Sequence, residues 1–216
     1  MAYKIGIDVS KHNGTIDWNK VKASGIKFAM IRAGYGSSHI DEQFKRNVTE
    51  CNRLKIPCGC YWFSYALNTE QARQEAQVFL KIIKQYKIYM PVCYDLEYDS
   101  FNYAKKKGVT ITKSKASAFA KAFLSEIEKS GYYAMNYTNV DCYRNYFDST
   151  VNSKYDLWLA SWPKNVDFDK PPMKCGIWQY TDKGKVNGIK TAVDKNVAYK
   201  DFPAIIKKAG LNNLYC

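Results

Sequence analysis

Met90-Pro91-Val92-Cys93-Tyr94-Asp95-Leu96-Glu97-Tyr98 sets two carboxylates two positions apart at the end of an apolar run. Side chains at i and i+2 of an extended strand point to the same side. Asp95 and Glu97 therefore leave a hydrophobic sheet together, facing one space. Cleaving an acetal needs such a pair, one carboxyl to protonate the leaving oxygen and one to support charge or water on the other side. A second acid-bearing strand end is Ile5-Gly6-Ile7-Asp8-Val9-Ser10, and a third candidate is Ala192-Val193-Asp194-Lys195-Asn196. Convergence of the three on one cleft would make a site for hydrolysis.

The rest of the chain alternates strands with amphipathic helices. Ile5–Val9 reads as a strand, and Asp17 caps a short helix through Gly25. Lys27–Arg32 is a second strand ending at a flexible Gly34-Tyr35-Gly36. Asp41 begins a helix carrying Phe44, Val48, Cys51 and Leu54 at helical spacing, which Pro57 stops. Cys58–Tyr65 is a strand rich in aromatics, followed by a helix capped by Asn68 or Thr69 and running to about Gln85. Pro91–Leu96 is the next strand and Lys113–Ser130 the next helix. Tyr132–Tyr137, Leu157–Ser161 and Gly176–Tyr180 complete the apolar strands, and Phe202–Ala209 closes the chain as a helix. This alternation predicts an α/β fold with a parallel sheet, closed into an irregular, TIM-like (β/α) barrel as a single domain spanning 1–216. Sites in parallel α/β folds form at the C-terminal strand ends, where Asp8, Glu97, Asn139, Ser161 and Thr181 fall. No repeat or linker marks a separate wall-binding module.

At 216 residues and 46% hydrophobic content, one good core can be buried. No window approaches the roughly 18 uninterrupted apolar residues of a membrane helix. Met1-Ala2-Tyr3-Lys4 runs into a strand-like segment, so no signal peptide is expected. Seven cysteines cannot all pair, none forms CxxC, and only two histidines are present. Reduced, buried thiols and no metal or other cofactor are expected. A net charge of +13 attracts polyanions, either nucleic acid or an anionic wall polymer. Lys105-Lys106-Lys107 reads as a solvated turn before Gly108.

With those residues in view, the chain resembles the glycoside hydrolase family 25 muramidases, the Chalaropsis-type lysozymes. The matching pieces include Gly6-Ile7-Asp8-Val9-Ser10, Phe28-Ala29-Met30-Ile31-Arg32-Ala33, Gly59-Cys60-Tyr61-Trp62-Phe63 and Asp95-Leu96-Glu97. They continue with Tyr137-Thr138-Asn139, Leu157-Trp158-Leu159-Ala160, Trp178-Gln179-Tyr180 and Val193-Asp194-Lys195-Asn196. Each is weak alone; their order and spacing from about Tyr3 to about Asn196 carry the resemblance. The family cleaves the β-1,4 bond between N-acetylmuramic acid and N-acetylglucosamine in peptidoglycan, on an irregular β/α barrel. The resemblance implies Glu97 as general acid and Asp95 as supporter of an oxocarbenium ion. Asp8 and Asp194 would complete the acidic floor. Glu97 must then stay protonated near working pH, through apolar surroundings or a neighbouring negative charge.

Two strand residues span roughly 6.5 Å. This falls between the spacing of retaining and of inverting carboxylates and leaves open assistance by the sugar's own 2-acetamido group. The chain departs from relatives in Ala33-Gly34-Tyr35-Gly36, where many carry Ala-Thr-Glu-Gly, and in Tyr61-Trp62-Phe63, where Tyr-His-Phe is common. Neither departure touches the four acids. Sugar rings present apolar C–H faces that stack on aromatics, which makes Tyr61, Phe63, Tyr65, Tyr137, Trp178 and Tyr35 the substrate-binding candidates. Arg32 either pairs with an acid or binds substrate. Trp158 reads as core, Asp182 as a turn residue, and His12 as a chance neighbour of Ser10 rather than a nucleophile's base.

The expected partner is bacterial peptidoglycan, in a Gram-positive wall whose anionic polymers the basic surface would meet. No nucleic acid and no membrane partner are expected, and the chain is read as a monomer. It would be made in the cytoplasm and act on the wall as a released endolysin or an autolysin. Two other readings compete: a wall-glycan-binding module without turnover, and a basic nucleic-acid-binding protein.

Overall fold

The structure is a computed structural model that describes residues 3–214. Met1-Ala2, on which the reading of the N-terminus rests, and Cys216 lie outside the described residues.

The chain forms β1 (Lys4–Val9), a short 3-10 turn at 11–13, α1 (Trp18–Ala23), β2 (Phe28–Tyr35), β3 (His39–Ile40) and α2 (Phe44–Leu54). Next come β4 (Cys58–Phe63), α3 (Thr69–Ile83), β5 (Val92–Asp95), α4 (Tyr98–Lys106) and α5 (Lys113–Lys129). After these follow β6 (Ala134–Asn139), α6 (Val140–Asn145), α7 (Ser149–Lys154), β7 (Asp156–Ala160), β8 (Ile177–Gly184), β9 (Val193–Ala198) and α8 (Phe202–Lys208). The helix starts have a common cause. Asp17, Asn68, Thr112, Asn139, Asp148 and Asp201 each accept a first-turn backbone N–H through the side chain.

Eight strands close into a barrel in the order β1-β2-β4-β5-β6-β7-β8-β9, with β9 returning to β1 and β3 laid along β2. The pairings from β1 through β8 are parallel, as the alternation predicts. β9 differs, running antiparallel to both β8 and β1. The barrel is thus mixed rather than wholly parallel. The link between β8 and β9 spans only residues 185–192, too short for a helical crossover, so the chain turns back as a hairpin.

Alternation along the strands divides the apolar residues between two cores. Ile7, Ala29, Ile31, Cys58, Cys60, Trp62, Val92 and Tyr94 face the helices, where they pack on Phe44, Phe79 and Phe123. Burial of each large side chain contributes ~1.5–3 kcal/mol. Inside the barrel, Phe28, Met30, Cys93, Met135, Trp158 and Ile177 form a plug that α8 closes from below with Phe202 and Ile206. Gly6 is required by this plug, since a Cβ there would stand 2.5 Å from the Phe28 ring. The lower half of the barrel is therefore solid hydrocarbon, and its polar inward residues cluster at the other end.

Several expectations need correction. β2 does not fray at Gly34 but continues to Tyr35, because β3 pairs with it. Gly34 permits that approach: a Cβ would lie 2.2 Å from the His39 carbonyl oxygen. α2 begins at Phe44 rather than at Asp41, whose carboxylate is taken by Arg32 and by the Lys11 and Gln43 amides. Lys105 and Lys106 end a helix, α4, that the sequence reading did not contain, and α6 and α7 were likewise absent from it. Asp182 lies within β8 rather than in a turn. Cys51, Cys58, Cys60, Cys93, Cys142 and Cys175 are free and buried, in line with the reduced-thiol reading. Among the described residues no helix is long and apolar enough to cross a membrane.

Candidate active site

The barrel mouth holds a cleft of about 250 Å³ lined by Asp8, Arg32, Tyr61, Phe63, Asp95, Glu97, Tyr137, Trp158, Trp162, Gln179 and Asp194. All four predicted acids are there. Asp8 and Asp95 come from the ends of parallel strands. Glu97 follows in extended conformation (φ −130°, ψ −175°) as the residue before α4. Its side chain thus keeps the strand's i, i+2 relation to Asp95, and its own N–H donates to Ser100 Oγ at 3.3 Å. Asp194 arrives differently. Because β9 is antiparallel, its start lies at the same face as the ends of the other strands, directly opposite Asp8 in register.

The acids form two pairs. Asp95 is buried, and its pKa stands well above the usual carboxylate range, first from burial and then from the Glu97 charge; Arg32 opposes this. The Glu97 pKa is also raised, by burial foremost. Ionising either carboxyl disfavours ionising the other, and the interaction between them raises Asp95 while lowering Glu97. In the second pair, burial pushes Asp8 to about 6 despite donors from Asn196 and Gln179. Burial and the Asp8 charge push Asp194 to about 8. Near neutral pH Asp194 therefore keeps its proton and donates to an ionised Asp8.

Neutral amides hold this arrangement. Asn196 Nδ2 donates to Asp8 Oδ2 at 2.8 Å, and Gln179 Nε2 donates to the same oxygen at 3.0 Å. Asn196 Oδ1 accepts from Trp158 Nε1 at 2.8 Å. Gln179 Oε1 accepts from Tyr137 Oη at 3.2 Å and from Trp162 Nε1 at 3.1 Å. Arg32 is fixed by Nε to Asp41 Oδ2 at 2.9 Å, with the Asp41 side chain fully buried. Two polar atoms, Arg32 Nη2 and Asp95 Oδ1, are buried without a hydrogen-bond partner. Buried polar atoms left unmet in this way carry a desolvation cost that a hydrogen-bond partner would relieve.

The binding candidates divide three ways. Tyr61, Phe63, Tyr137 and Arg32 line the acid cleft. Tyr35 and Tyr65 instead line a neighbouring cavity of about 470 Å³. Trp178 lines neither: it is 1% exposed, sits in an outer cluster with Leu157, Leu159 and Val197, and donates Nε1 to the Ser161 carbonyl at 2.8 Å. Strand alternation is the cause, since Gln179 takes the inward position and turns its neighbours outward. Trp158 is buried as expected, yet its edge reaches the cleft floor. His12 stands at the rim, and Ser10 Oγ accepts from the His12 backbone N–H, so no nucleophile–base contact forms between their side chains. The sequence reading missed the roles of Gln179 and Asn196, although both lie in quoted motifs, and missed Trp162, 54% exposed at the cleft lip. Polar residues at inward-facing strand positions were the available signal for the two amides.

Residues 7–189 match the sequence model of the Glycosyl hydrolases family 25. The chain belongs to that family. An autolytic lysozyme of Clostridium acetobutylicum is 26% identical over 193 residues, covering 88% of this chain and 54% of that protein. The crystal structure of a family 25 glycosyl hydrolase from Bacillus anthracis superposes with a TM-score of 0.74 at 29% identity, covering 91% of this chain and 88% of that one. The modular autolysin LytC of Streptococcus pneumoniae, in complex with a synthetic peptidoglycan ligand, gives a TM-score of 0.80 at 28% identity. There the match covers 91% of this chain and 47% of LytC. The family 25 chain thus spans about half the length of the Clostridium lysozyme and of LytC.

Proposed function

We propose that this family 25 chain is a muramidase, hydrolysing the β-1,4 bond between N-acetylmuramic acid and N-acetylglucosamine in peptidoglycan. The observation that carries the reading is the Asp95–Glu97 pair at the end of β5, facing one cleft together with Asp8 and Asp194. The ligand of LytC and the names of the relatives agree with it. Glu97, whose carboxyl burial biases toward the protonated form, delivers its proton to the glycosidic oxygen as that bond breaks. Asp95, left negative, supports the positive charge at the anomeric carbon. Its free Oδ1 is also an acceptor for the N–H of a 2-acetamido group, which would turn the acetamido oxygen toward that carbon. We favour this substrate-assisted course because the sugar carries the group and two acids two residues apart on one strand end leave little room for a water between them. Water then opens the intermediate, returning a proton to Glu97. Ionised Asp8, braced by Asn196, Gln179 and Asp194, adds negative potential under the sugar ring.

Tyr61, Phe63 and Tyr137 supply faces and hydroxyls along the cleft, and Arg32 Nη2 supplies a donor. The chain works as a monomer on Gram-positive walls, where its +13 charge concentrates it on anionic polymers. The test is digestion of purified Gram-positive peptidoglycan by the wild type and by Glu97→Gln, with mass spectrometry of borohydride-reduced products. Reduced muramic acid ends from the wild type, lost in the variant, are expected. Reduced glucosamine ends would mean that the other glycosidic bond is cut. Binding without cleavage by either protein would replace this reading with that of a glycan-binding module.

A further inference from the structure

Beside the acid cleft lies the larger cavity of about 470 Å³, which the catalytic arrangement leaves unused. One wall is aromatic. The Tyr35 and Tyr65 rings meet edge to face at 6.5 Å and 84°, and Tyr103 of α4 packs on Tyr65 at 4.9 Å. His39 of β3 stacks on Tyr35 at 5.1 Å, and Gln71 and Gln74 from the exposed face of α3 complete the lining. Glu75 also borders the cavity, but its two oxygens are already occupied by Ser64 Oγ at 2.6 Å and the Tyr65 N–H at 3.0 Å.

The cavity is built before any ligand arrives. The Gly36 carbonyl accepts from Trp62 Nε1 at 3.0 Å, and the Gly36 N–H donates to the Phe63 carbonyl, which locks the loop beneath it. Gly36 also has φ +57°, and a Cβ there would press on the Tyr65 ring at 3.4 Å. The walls of the cavity and of the acid cleft touch at two points. Phe63 of the cleft packs on Tyr65 at 5.1 Å, and the Arg32 guanidinium lies over the Tyr35 ring at 5.5 Å.

Resting on the muramidase reading, we propose that this cavity is a further subsite of the glycan strand, seating one N-acetylated amino-sugar ring away from the cleaved bond. The chemistry selects a sugar over a stem peptide. Tyrosine faces suit the C–H face of a pyranose, and side-chain amides suit an acetamido group. A stem peptide carries free carboxylates and an ammonium group, for which the cavity wall offers no lysine, arginine or free carboxylate. The subsite adds affinity that only a longer strand can collect, so the protein prefers long glycan to short.

The experiment compares peptide-free strands of alternating N-acetylmuramic acid and N-acetylglucosamine, a tetrasaccharide and an octasaccharide, by kcat/KM. The variants are Tyr103→Ala and Gln74→Ala, both on exposed helix surfaces and remote from the acids. The wild type is expected to prefer the octasaccharide by about tenfold. Tyr103→Ala should remove most of that preference while leaving the tetrasaccharide rate unchanged, and Gln74→Ala should weaken it. A preference that survives in both variants, or a loss shared by both substrates, overturns the proposal. So does a dependence on Tyr103 seen only with peptide-bearing strands, which would assign the cavity to the stem peptide. The muramidase reading fails separately, if the wild type cleaves neither strand. In that event octasaccharide binding to Glu97→Gln, with and without Tyr103→Ala, decides the subsite, and equal affinities overturn it.

Discussion

Replacing Asn196 by alanine removes a side chain that is fully buried and engaged at both ends. Its Nδ2 donates to Asp8 Oδ2 and its Oδ1 accepts from Trp158 Nε1, each at 2.8 Å. Leaving the indole N–H unpaired costs ~1–3 kcal/mol, and a hydrogen bond to an ionised carboxylate contributes ~1.5–3 kcal/mol. The second loss is felt only while Asp8 is charged. Asp8 titrates at about 6 with Asn196 in place. Loss of the donor raises that midpoint by about one to two pH units, at ~1.36 kcal/mol per unit. A raised carboxyl lowers stability as pH climbs past the unfolded value toward the folded one. Asn196→Ala should therefore be more destabilising at pH 8 than at pH 5, by ~1.5–2.5 kcal/mol. The void left by the shorter side chain is the same at both pH values and cancels. Urea unfolding of both proteins at the two pH values is the assay. A destabilisation equal at both, within ~0.5 kcal/mol, would show that Asn196 does not hold the Asp8 charge.

The same logic applies to the wild type: Asp8 at about 6, Glu75 at about 7 and Asp194 at about 8 all lie above their unfolded values. The fold therefore binds protons that the unfolded chain releases, and the urea midpoint should fall between pH 5 and pH 8; a rising midpoint would contradict the burial of these groups. Arg32→Gln strips the fully buried Asp41 carboxylate of its charge partner and should cost ~3–5 kcal/mol, read by the same denaturation. Gly6→Ala drives a methyl into the Phe28 ring and should cost ~1–3 kcal/mol, and a neutral result would mean that the barrel plug is loose. Trp178→Phe should lower stability by ~1–3 kcal/mol through its lost bond to Ser161 yet leave KM on peptidoglycan unchanged; a raised KM would restore Trp178 to the substrate path.

Most of the parallel part of the barrel was legible because its strands are short apolar runs punctuated by helix caps such as Asp17 and Asn68. Asp95 and Glu97 were legible for a simpler reason, since a period of two places both on one side whatever surrounds them. Trp178 was misplaced because that period fixes only which residues share a face, and the inward face of β8 is set by tertiary pairing. β9 lacked a clear apolar pattern: Asp194 and Asn196 occupy inward positions where hydrocarbon is the ordinary expectation. The helix α4 was hidden because its cap is the catalytic candidate Glu97 itself, and its stretch Tyr98–Lys106 is polar on most sides.

β9 completes the ring by pairing with β1, so the two strands that bring Asp8 and Asp194 together are separated by almost the whole chain. Asn196 and Gln179, which hold Asp8 in its charged form, lie 188 and 171 residues from it. A ribosome delivers β1 well before β9, and the loop that must close between them is long. Until then Asp8 has neither donor and the barrel has an open edge. The acid cleft thus assembles in a late, non-local step of folding. A nascent chain holds no finished acid cleft until β9 has been made.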